Sequence, residues 1–528
     1  MPITRILLAF TSLLVVARAQ AQGQAQGQSQ APVNLTCPDY SIYSTEHHGP
    51  YSEGRYNLSS QRPVPRCRTF NSSIVEQTIN STLRKIQDPD LQRLFLNSFP
   101  NTLDTAVKWK GYANDSQGEE LTFLITGDIN AMWLRDSANQ MQSYLSLLRP
   151  SNLPDSLASL YRGVINLQAR YLLTDPYCNS FQPPAESKIP PSANGAASMD
   201  TVTPNYTNTS VFECKYELDS LAAFLEISHN YFNATQDIEF FKKFKWVDAV
   251  EAVMKVADTM MVPTYEPSGR VENLTYTFTR QTTRASETTE NNGLGNPFNN
   301  GTGLIRSFFR PSDDATIFQG FIPANMMFSR YLGSCAEIMS QIPDQPALAT
   351  RMSTMASNLR KAITSSGIVQ TSTFGRIYAY EVDGYFGQNI MDDANIPSLL
   401  AAPFFGYLDE NDEVYQNTRK LLLSTANPYW MHGPVISAIG GPHNGPGYAW
   451  PMAAIVRILT SNDDGEISQQ LKEIVSSTDG LGLIHESINT FNVTDWTRQW
   501  FSWANGLFGQ TILDLSERKP EILNQSFQ

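Results

Sequence analysis

Cysteine, histidine and basic side chains are all scarce in this sequence. Five cysteines and six histidines are spread over 528 residues. No Cys-x-x-Cys or His-x-x-x-His spacing occurs among them, so the chain carries no familiar zinc motif and no metal is expected. A Gly-rich phosphate loop and a Gly-x-Ser-x-Gly elbow are also missing, which argues against nucleotide-dependent enzymes and serine esterases; no cofactor is expected. Lys and Arg number 38 against 51 Asp and Glu, a formal net charge of −13. That sign is wrong for nucleic acid or an anionic membrane, which need clustered cations to displace counterions. Beyond the N-terminus, no apolar run approaches the roughly 20 residues of a spanning helix. A neutral substrate and a monomer are the expectations.

The chain begins with Arg5, apolar runs Ile6–Phe10 and Leu13–Val16, and Ala17-Arg18-Ala19, the pattern of a signal peptide over 1–19. Residues 20–36 are rich in Gln, Ala and Gly and can bury too little surface to offset ordering entropy, so a disordered tail is expected. Asn-x-Ser/Thr acceptors recur at Asn34, Asn57, Asn71, Asn80, Asn114, Asn205, Asn208, Asn233, Asn273, Asn300, Asn492 and Asn524, which fits a glycoprotein. The expected destination is outside the cell, with the lumen of the secretory pathway or a vacuole as the alternative. An oxidising compartment leaves one cysteine over. Proximity suggests Cys37 with Cys67 and Cys178 with Cys214, although proximity fixes no connectivity, and Cys335 sits in an apolar helical pattern as a buried thiol.

From about Ser73 onward, apolar residues recur at helical spacing between Pro, Gly and Asn punctuation. The spacing predicts helices over 73–98, 133–148, 155–173, 215–232, 237–261, 317–341, 346–365, 395–408, 411–425, 447–461, 465–477 and 503–516. Short strand-like pieces are predicted at Leu121–Ile125 and Arg376–Val382. An all-α fold of twelve helices suits two concentric rings of six, an (α/α)6 barrel. The stretches 183–209 and 268–305, rich in Pro, Ser, Asn, Thr and Gly, read as long surface loops.

Clusters that mix carboxylates, arginine and tryptophan stand at the ends of these helical patterns. Sugar sites need that mixture: planar polar groups bind hydroxyls, and an aromatic ring takes the apolar face of a pyranose. The first runs from Thr126 to Ser137 and holds Asp128, Trp133, Arg135 and Asp136. Asp128 or Asn130 could instead cap the following helix, and Arg135 with Asp136 could be a solvated pair. The second, Cys214–Ser220, puts Asp219 off the apolar stripe of its helix. An acid in a first turn is stabilised as an anion, opposite to a general acid's need, so burial or Glu217 would have to raise its pKa. The third joins His485-Glu486-Ser487 to Asp495-Trp496-Thr497-Arg498; Glu486 could equally accept backbone bonds beside a turn. Further clusters are Arg310–Ala315, Phe321–Met326, Tyr380–Tyr385, Met391–Ser398 and Gly440–His443 with Trp450-Pro451. Each alone is explicable by turns or caps. Joined at one end of a helical barrel, they would line a pocket.

Together, Asp128–Ser137, Tyr216–Leu221, Arg310–Ala315, Ile322–Met326, Met391–Leu399 and His485–Ser487 resemble glycoside hydrolase family 125, from about residue 70 onward. The string Ala131-Met132-Trp133-Leu134-Arg135-Asp136-Ser137 is its most specific element. The resemblance implies a single (α/α)6 catalytic domain over 37–528, with long loops at the active-site end. It implies exo-acting hydrolysis of α-1,6-linked mannose from oligosaccharides or glycans, without metal and with inversion. By motif, Asp219 resembles the general acid and Glu486 the general base. Trp133, Arg135, Asp136, Asp392, Asp393 and His485 are assigned to the terminal mannose. Alternatives are another (α/α)6 carbohydrase, an α-glucosidase or a mannosidase of other linkage, and a catalytically silent glycan-binding protein. The N-terminal tail and the stretches 183–209 and 268–305 depart from shorter members.

Overall fold

Helical periodicity, punctuated by Asp and Pro at segment starts, produces the mainly α-helical protein seen in a computed structural model that describes residues 36–114 and 118–528. The expected signal peptide and all of the tail but Thr36 lie outside the described residues. Asp39–Gln528 forms one compact unit; of the unit before it only Thr36–Pro38 is described, exposed and without regular structure.

Among the described residues, twelve helices reach nine residues or more: Ser73–Leu83, Pro89–Ser98, Leu134–Gln142, Leu157–Thr174, Leu218–Thr235, Trp246–Thr259, Ile322–Met339, Pro346–Ser366, Glu413–Leu422, Pro451–Leu459, Asp464–Ser476 and Ser502–Arg518. The number agrees with expectation through two departures that cancel. The stretch 73–98 is two helices, because the Asp88 side chain accepts from the Asp90 and Leu91 N–H groups and Pro89 takes the first position, where no donor is needed. The helix expected over 395–408 does not form. Pro397 and Pro403 lack backbone donors, and the Asp392 carboxylate accepts from the Leu399 and Leu400 N–H groups at 2.9 Å each, so the chain runs through turns. The expected 237–261 helix is also divided, into Ile238–Phe241 and Trp246–Thr259.

Two kinds of helix alternate along much of the chain. Leu134–Gln142, Leu218–Thr235, Ile322–Met339, Pro451–Leu459 and Ser502–Arg518 are buried on nearly every face. Pro89–Ser98, Trp246–Thr259, Pro346–Ser366, Glu413–Leu422 and Asp464–Ser476 bury one stripe only, the pattern of helices with one face in water. Leu134–Gln142 packs against both Leu218–Thr235 and Ser502–Arg518; Leu218–Thr235 packs on Ile322–Met339, and Pro451–Leu459 on Ser502–Arg518. The striped helices lie against these: Pro89–Ser98 on Ser502–Arg518, Pro346–Ser366 on Ile322–Met339, and Asp464–Ser476 on Pro451–Leu459. Leu157–Thr174 is well buried because the strand pair Val107–Tyr112 and Glu120–Leu124 also packs on it.

Short strands hold the N-terminal ends of the buried helices in place. Met132–Trp133 pairs with Ser180–Phe181, which pairs with Val211–Glu213, and the Cys178–Cys214 disulfide ties the same two segments. Gly320–Phe321 pairs with Glu381–Val382, and Tyr448–Ala449 with Ile488–Asn489. The long stretches 183–209 and 268–305 join each other through Asp200–Thr203 and Thr277–Arg280, register Asp200 to Arg280. Cys335 is a buried free thiol, its Sγ donating to the Leu225 carbonyl. All ten described sequon asparagines are exposed, whereas Asn97, Asn101, Asn139, Asn166, Asn179, Asn325, Asn395, Asn427 and Asn505, none of them in a sequon, are buried.

Helix Ser502–Arg518 passes so near Phe99 that a Cβ on Gly509 would stand 2.6 Å from its Cα. Alanine favours helices over glycine by about 1 kcal/mol, but forced overpacking costs about 1–3 kcal/mol. Gly509→Ala is therefore expected to lower the urea midpoint without changing the slope; a raised midpoint would contradict the close approach.

Candidate active site

The N-terminal ends of the buried helices and the turns before them surround a cleft. Its walls include Asp128, Trp133, Arg135 and Asp136, then Pro311, Ser312, Asp313, Asn395 and His443, and finally Trp450, Glu486, Arg498, Phe501 and Trp503. Four carboxylates, two arginines, a histidine and four large aromatic rings thus converge from segments far apart in sequence. Trp133 is fixed by its strand pairing to Ser180 and by an edge contact with Phe212, ring centroids 5.5 Å apart. Its indole nitrogen is buried and unpartnered.

Arg135 lies at the centre of the acidic side. Its Nη1 donates to Glu217 Oε2 at 2.6 Å and Asp219 Oδ2 at 2.9 Å; Nη2 stands 3.4 Å from Asp313 Oδ1, and Nε 3.6 Å from Asp136 Oδ2. One guanidinium beside four carboxylates leaves excess negative charge in a place with little water, so protons are retained there. Burial pushes Asp136 up to about 6 against the pull of Arg135. Burial also raises Asp219 and, far more, Glu217, with Arg135 opposing in both cases. Asp313 moves the other way: burial would raise it, but Lys215 and Arg135 outweigh burial and hold it far below the usual carboxylate range. Glu217 and Asp313 shift each other in opposite directions, Glu217 up and Asp313 down, and such a pair titrates jointly.

Asp313 is presented by a tight turn. The Arg310 N–H donates to the Asp314 carbonyl at 2.8 Å and the Asp313 N–H to the Arg310 carbonyl at 2.9 Å, with Phe309 bridged to Ala315. This gives Asp313 a φ of 64°, the left-handed region that Asp tolerates better than most residues. Lys215 Nζ donates to its carbonyl at 2.9 Å and Asn179 Nδ2 to its Oδ1 at 3.3 Å. The carboxylate is 26% exposed.

Glu486 is held by a hairpin that follows it. Strands Ile488–Asn489 and Asn492–Trp496 fold back so that the Thr497 N–H donates to the Ser487 carbonyl at 3.1 Å. That return places Thr497 Oγ1 on Glu486 Oε2 at 2.8 Å and Arg498 Nε on Oε1 at 3.0 Å. Arg498 reaches on to Asp128 through Nη1.

Trp133, Arg135, Asp136 and Glu486 therefore line the cleft, and four other expected site residues do not. Asp219 has no exposed surface beside the wall residue Arg135, whose Nη1 donates to its Oδ2, while its Oδ1 has no hydrogen-bond partner among the described residues. Asp392 organises the 399–400 turn instead, and Asp393 accepts from Ser312 Oγ at 2.9 Å, behind a wall residue. His485 is stacked on Trp496 at 4.8 Å, its Nδ1 faces the Arg498 carbonyl, and burial lowers it to about 4, so it serves the hairpin as a neutral ring. Sequence reasoning did not single out Asp313, His443, Arg498 and Asn395 as site residues. All four lie in clusters already visible in the sequence, but choosing among neighbouring polar residues requires the turn geometry.

Among the described residues no group of three or more His, Cys, Asp and Glu could hold a metal ion, and no helix is long and apolar enough to cross a membrane. A family model described as metal-independent alpha-mannosidase (GH125) matches residues 88–513. The chain is 47% identical over 492 residues to the meiotically up-regulated gene 157 protein of Schizosaccharomyces pombe, covering 93% of this chain and 94% of that one. It is also similar to a Streptococcus pneumoniae protein, solved in a non-productive complex with alpha-1,6-mannobiose and described among widely distributed metal-independent alpha mannosidases that process N-linked glycans. The TM-score is 0.74 at 32% identity, over 85% of this chain and all of the other. A cleft with the chemistry of a sugar site and a family match over nearly all the helical unit lead to one conclusion: the chain belongs to glycoside hydrolase family 125, the metal-independent alpha-mannosidases, and is a glycoside hydrolase acting on mannose glycans.

Proposed function

We propose that the protein removes single terminal α-1,6-linked mannose residues from the non-reducing ends of glycans, with inversion, and that Asp313 and Glu486 are its acid and base. The carrying observation is that both line one cleft, each with a partner suited to its task. Inverting hydrolysis needs a protonated carboxyl at the leaving oxygen and a carboxylate to activate water on the opposite face. Asp313 lines the cleft, and the buried Glu217, raised where Asp313 is lowered, is the proton store on this reading, from which the pair delivers a proton to the glycosidic oxygen. Glu486, gripped by Thr497 and Arg498, is oriented as the base. Trp133, Arg135 and Asp136 are then positioned to bind the terminal sugar. The α-1,6 preference is supported by the mannobiose in the pneumococcal structure, and exo action by a compact cleft ringed by the turns at the helix ends.

The alternation of buried and striped helices supports an (α/α)6 barrel in which the turns over 392–407 stand where the sixth inner helix would be. It also supports one catalytic domain over 37–528. A disulfide and ten exposed sequons support passage through an oxidising secretory compartment and a glycosylated, secreted or lumenal product.

Asp313→Asn and Glu486→Gln are each expected to lower kcat/KM on α-1,6-mannobiose by about 10²–10⁴-fold. An aryl mannoside with a leaving group too acidic to need protonation should restore Asp313→Asn and leave Glu486→Gln inactive. Rescue of Asp219→Asn instead would return the acid role to Asp219. Glu217→Gln removes a negative neighbour and the stored proton, so the alkaline limb of kcat/KM should move to lower pH by roughly one unit; an unmoved limb would separate Glu217 from the acid. Proton NMR during cleavage should show β-mannose first, and initial release of α-mannose would exclude inversion. Release of mannose from an α-1,2-linked analogue at an equal rate would overturn the linkage preference, and release of glucose from a gluco analogue at an equal rate would overturn the sugar preference.

A further inference from the structure

Behind the cleft wall lies a carboxylate that the proposed reaction does not use. Asp314 is 1% exposed, and neither of its oxygens has a hydrogen bond of ordinary length. A buried carboxylate in that condition is costly unless a cation answers it. The answering group is His443, whose Nδ1 stands 3.6 Å from Asp314 Oδ2. His443 lines the cleft, its ring meets Trp450 edge-on at 6.2 Å, and its Nε2 has no hydrogen-bond partner among the described residues. The groups facing it are Asp313 and Asp314 from the 310–314 turn and Glu486 from the hairpin segment. Burial works against protonation, but Asp314 first, then Glu486 and Asp313, overcome it and raise the imidazole to about 9. Asp314 is in turn held as an anion: burial opposes this, and His443, Ser286 and Arg310 outweigh burial.

The stretch 268–305 supports both members of the pair. The Ser286 carbonyl accepts from the Ala315 N–H at 2.7 Å, beside Asp314, and Arg284 Nη2 donates to the His443 carbonyl. This long segment therefore reaches the cleft through the Asp314–His443 pair, which gives it a role at the site.

We propose that His443, kept cationic by Asp314 and positioned by the 268–305 segment, is a substrate-binding residue that donates a hydrogen bond from Nε2 to a hydroxyl of the terminal sugar. The proposal rests on the cleft being the mannoside site. It accounts for Asp314, since a neutral imidazole would present a donor or an acceptor according to tautomer, whereas the cation presents donors only. A donor that carries charge also makes the stronger hydrogen bond.

The test is calorimetric binding of thio-linked α-1,6-mannobiose to the full-length protein. His443→Ala and His443→Gln are expected to weaken binding at neutral pH by about ten-fold or more. Asp314→Asn leaves the imidazole in place with its pKa lowered. It should bind like the unmodified protein near about pH 5.5 and lose that affinity by about pH 8, where the unmodified protein still binds. Affinity within two-fold or so of the unmodified protein for both His443 variants would overturn the proposal. So would an Asp314→Asn protein that keeps the original pH dependence. Failure of the unmodified protein to bind the disaccharide would overturn the mannoside reading itself, and His443 with it.

Discussion

Asp136, Glu217, Asp219 and Asp313 all lie against one arginine, Arg135. Because a buried site cannot hold four anions against one guanidinium and the nearby Lys215, protons must stay in the cluster, and the question becomes where they reside. The most enclosed members, Glu217 and Asp219, are raised, while Asp313, nearest to solvent and beside both cations, is held low. On the proposed reading, the buried Glu217 stores the proton beside Asp313, which lines the cleft. Positions of Trp133, Asn179 and the 310–314 turn follow from keeping that cluster intact, since each is bonded to it or adjoins it in sequence.

Glu486 is built on the opposite principle. Its two oxygens receive one hydroxyl and one guanidinium, and Asp128 shares the same arginine. On the proposed reading a base must hold its direction, which two donors from a hairpin return provide, and an acid must carry a proton and yet release it, which is the part proposed for the buried cluster. One side of the cleft thus has surplus carboxylates and the other a balanced chain of charges, and the chemistry differs accordingly.

Much of this was legible in the sequence. Helical periodicity located most of the helices, and the clusters of carboxylate, arginine and tryptophan fell at their N-terminal ends as expected. Two kinds of information were absent. The polar tether from Asp392 to Leu399 and Leu400 replaces a helix over 395–408 that apolar spacing alone would predict, because spacing does not register a side chain competing for backbone donors. Asp219 and Asp313 are both acids in motif-like strings, and only tertiary placement decides between them. Asp219, in the first turn of a fully buried helix, is sealed by Arg135; Asp313, in an irregular left-handed turn, reaches the cleft. Resemblance by motif pointed to Asp219 despite its helical position, whereas the acid that lines the cleft is the one on the turn, in keeping with the tendency of rigid scaffolds to carry chemistry on their loops.

The location at helix N-termini has an electrostatic consequence of its own. Leu134–Gln142 and Leu218–Thr235 both begin at the acidic cluster, with Asp136 and Asp219 in their first turns. Helix dipoles there stabilise anions and so lower carboxyl pKa values. A lone acid in such a place would remain ionised at neutral pH and could protonate nothing. Burial reverses this for Asp219, which is raised although it stands in a first helical turn. Coupling an accessible carboxylate to an inaccessible one separates the two demands, because Glu217 can be buried enough to keep the proton while Asp313 stays open enough to deliver it. On this argument the surplus of acid around Arg135 is required by where the fold places its active site.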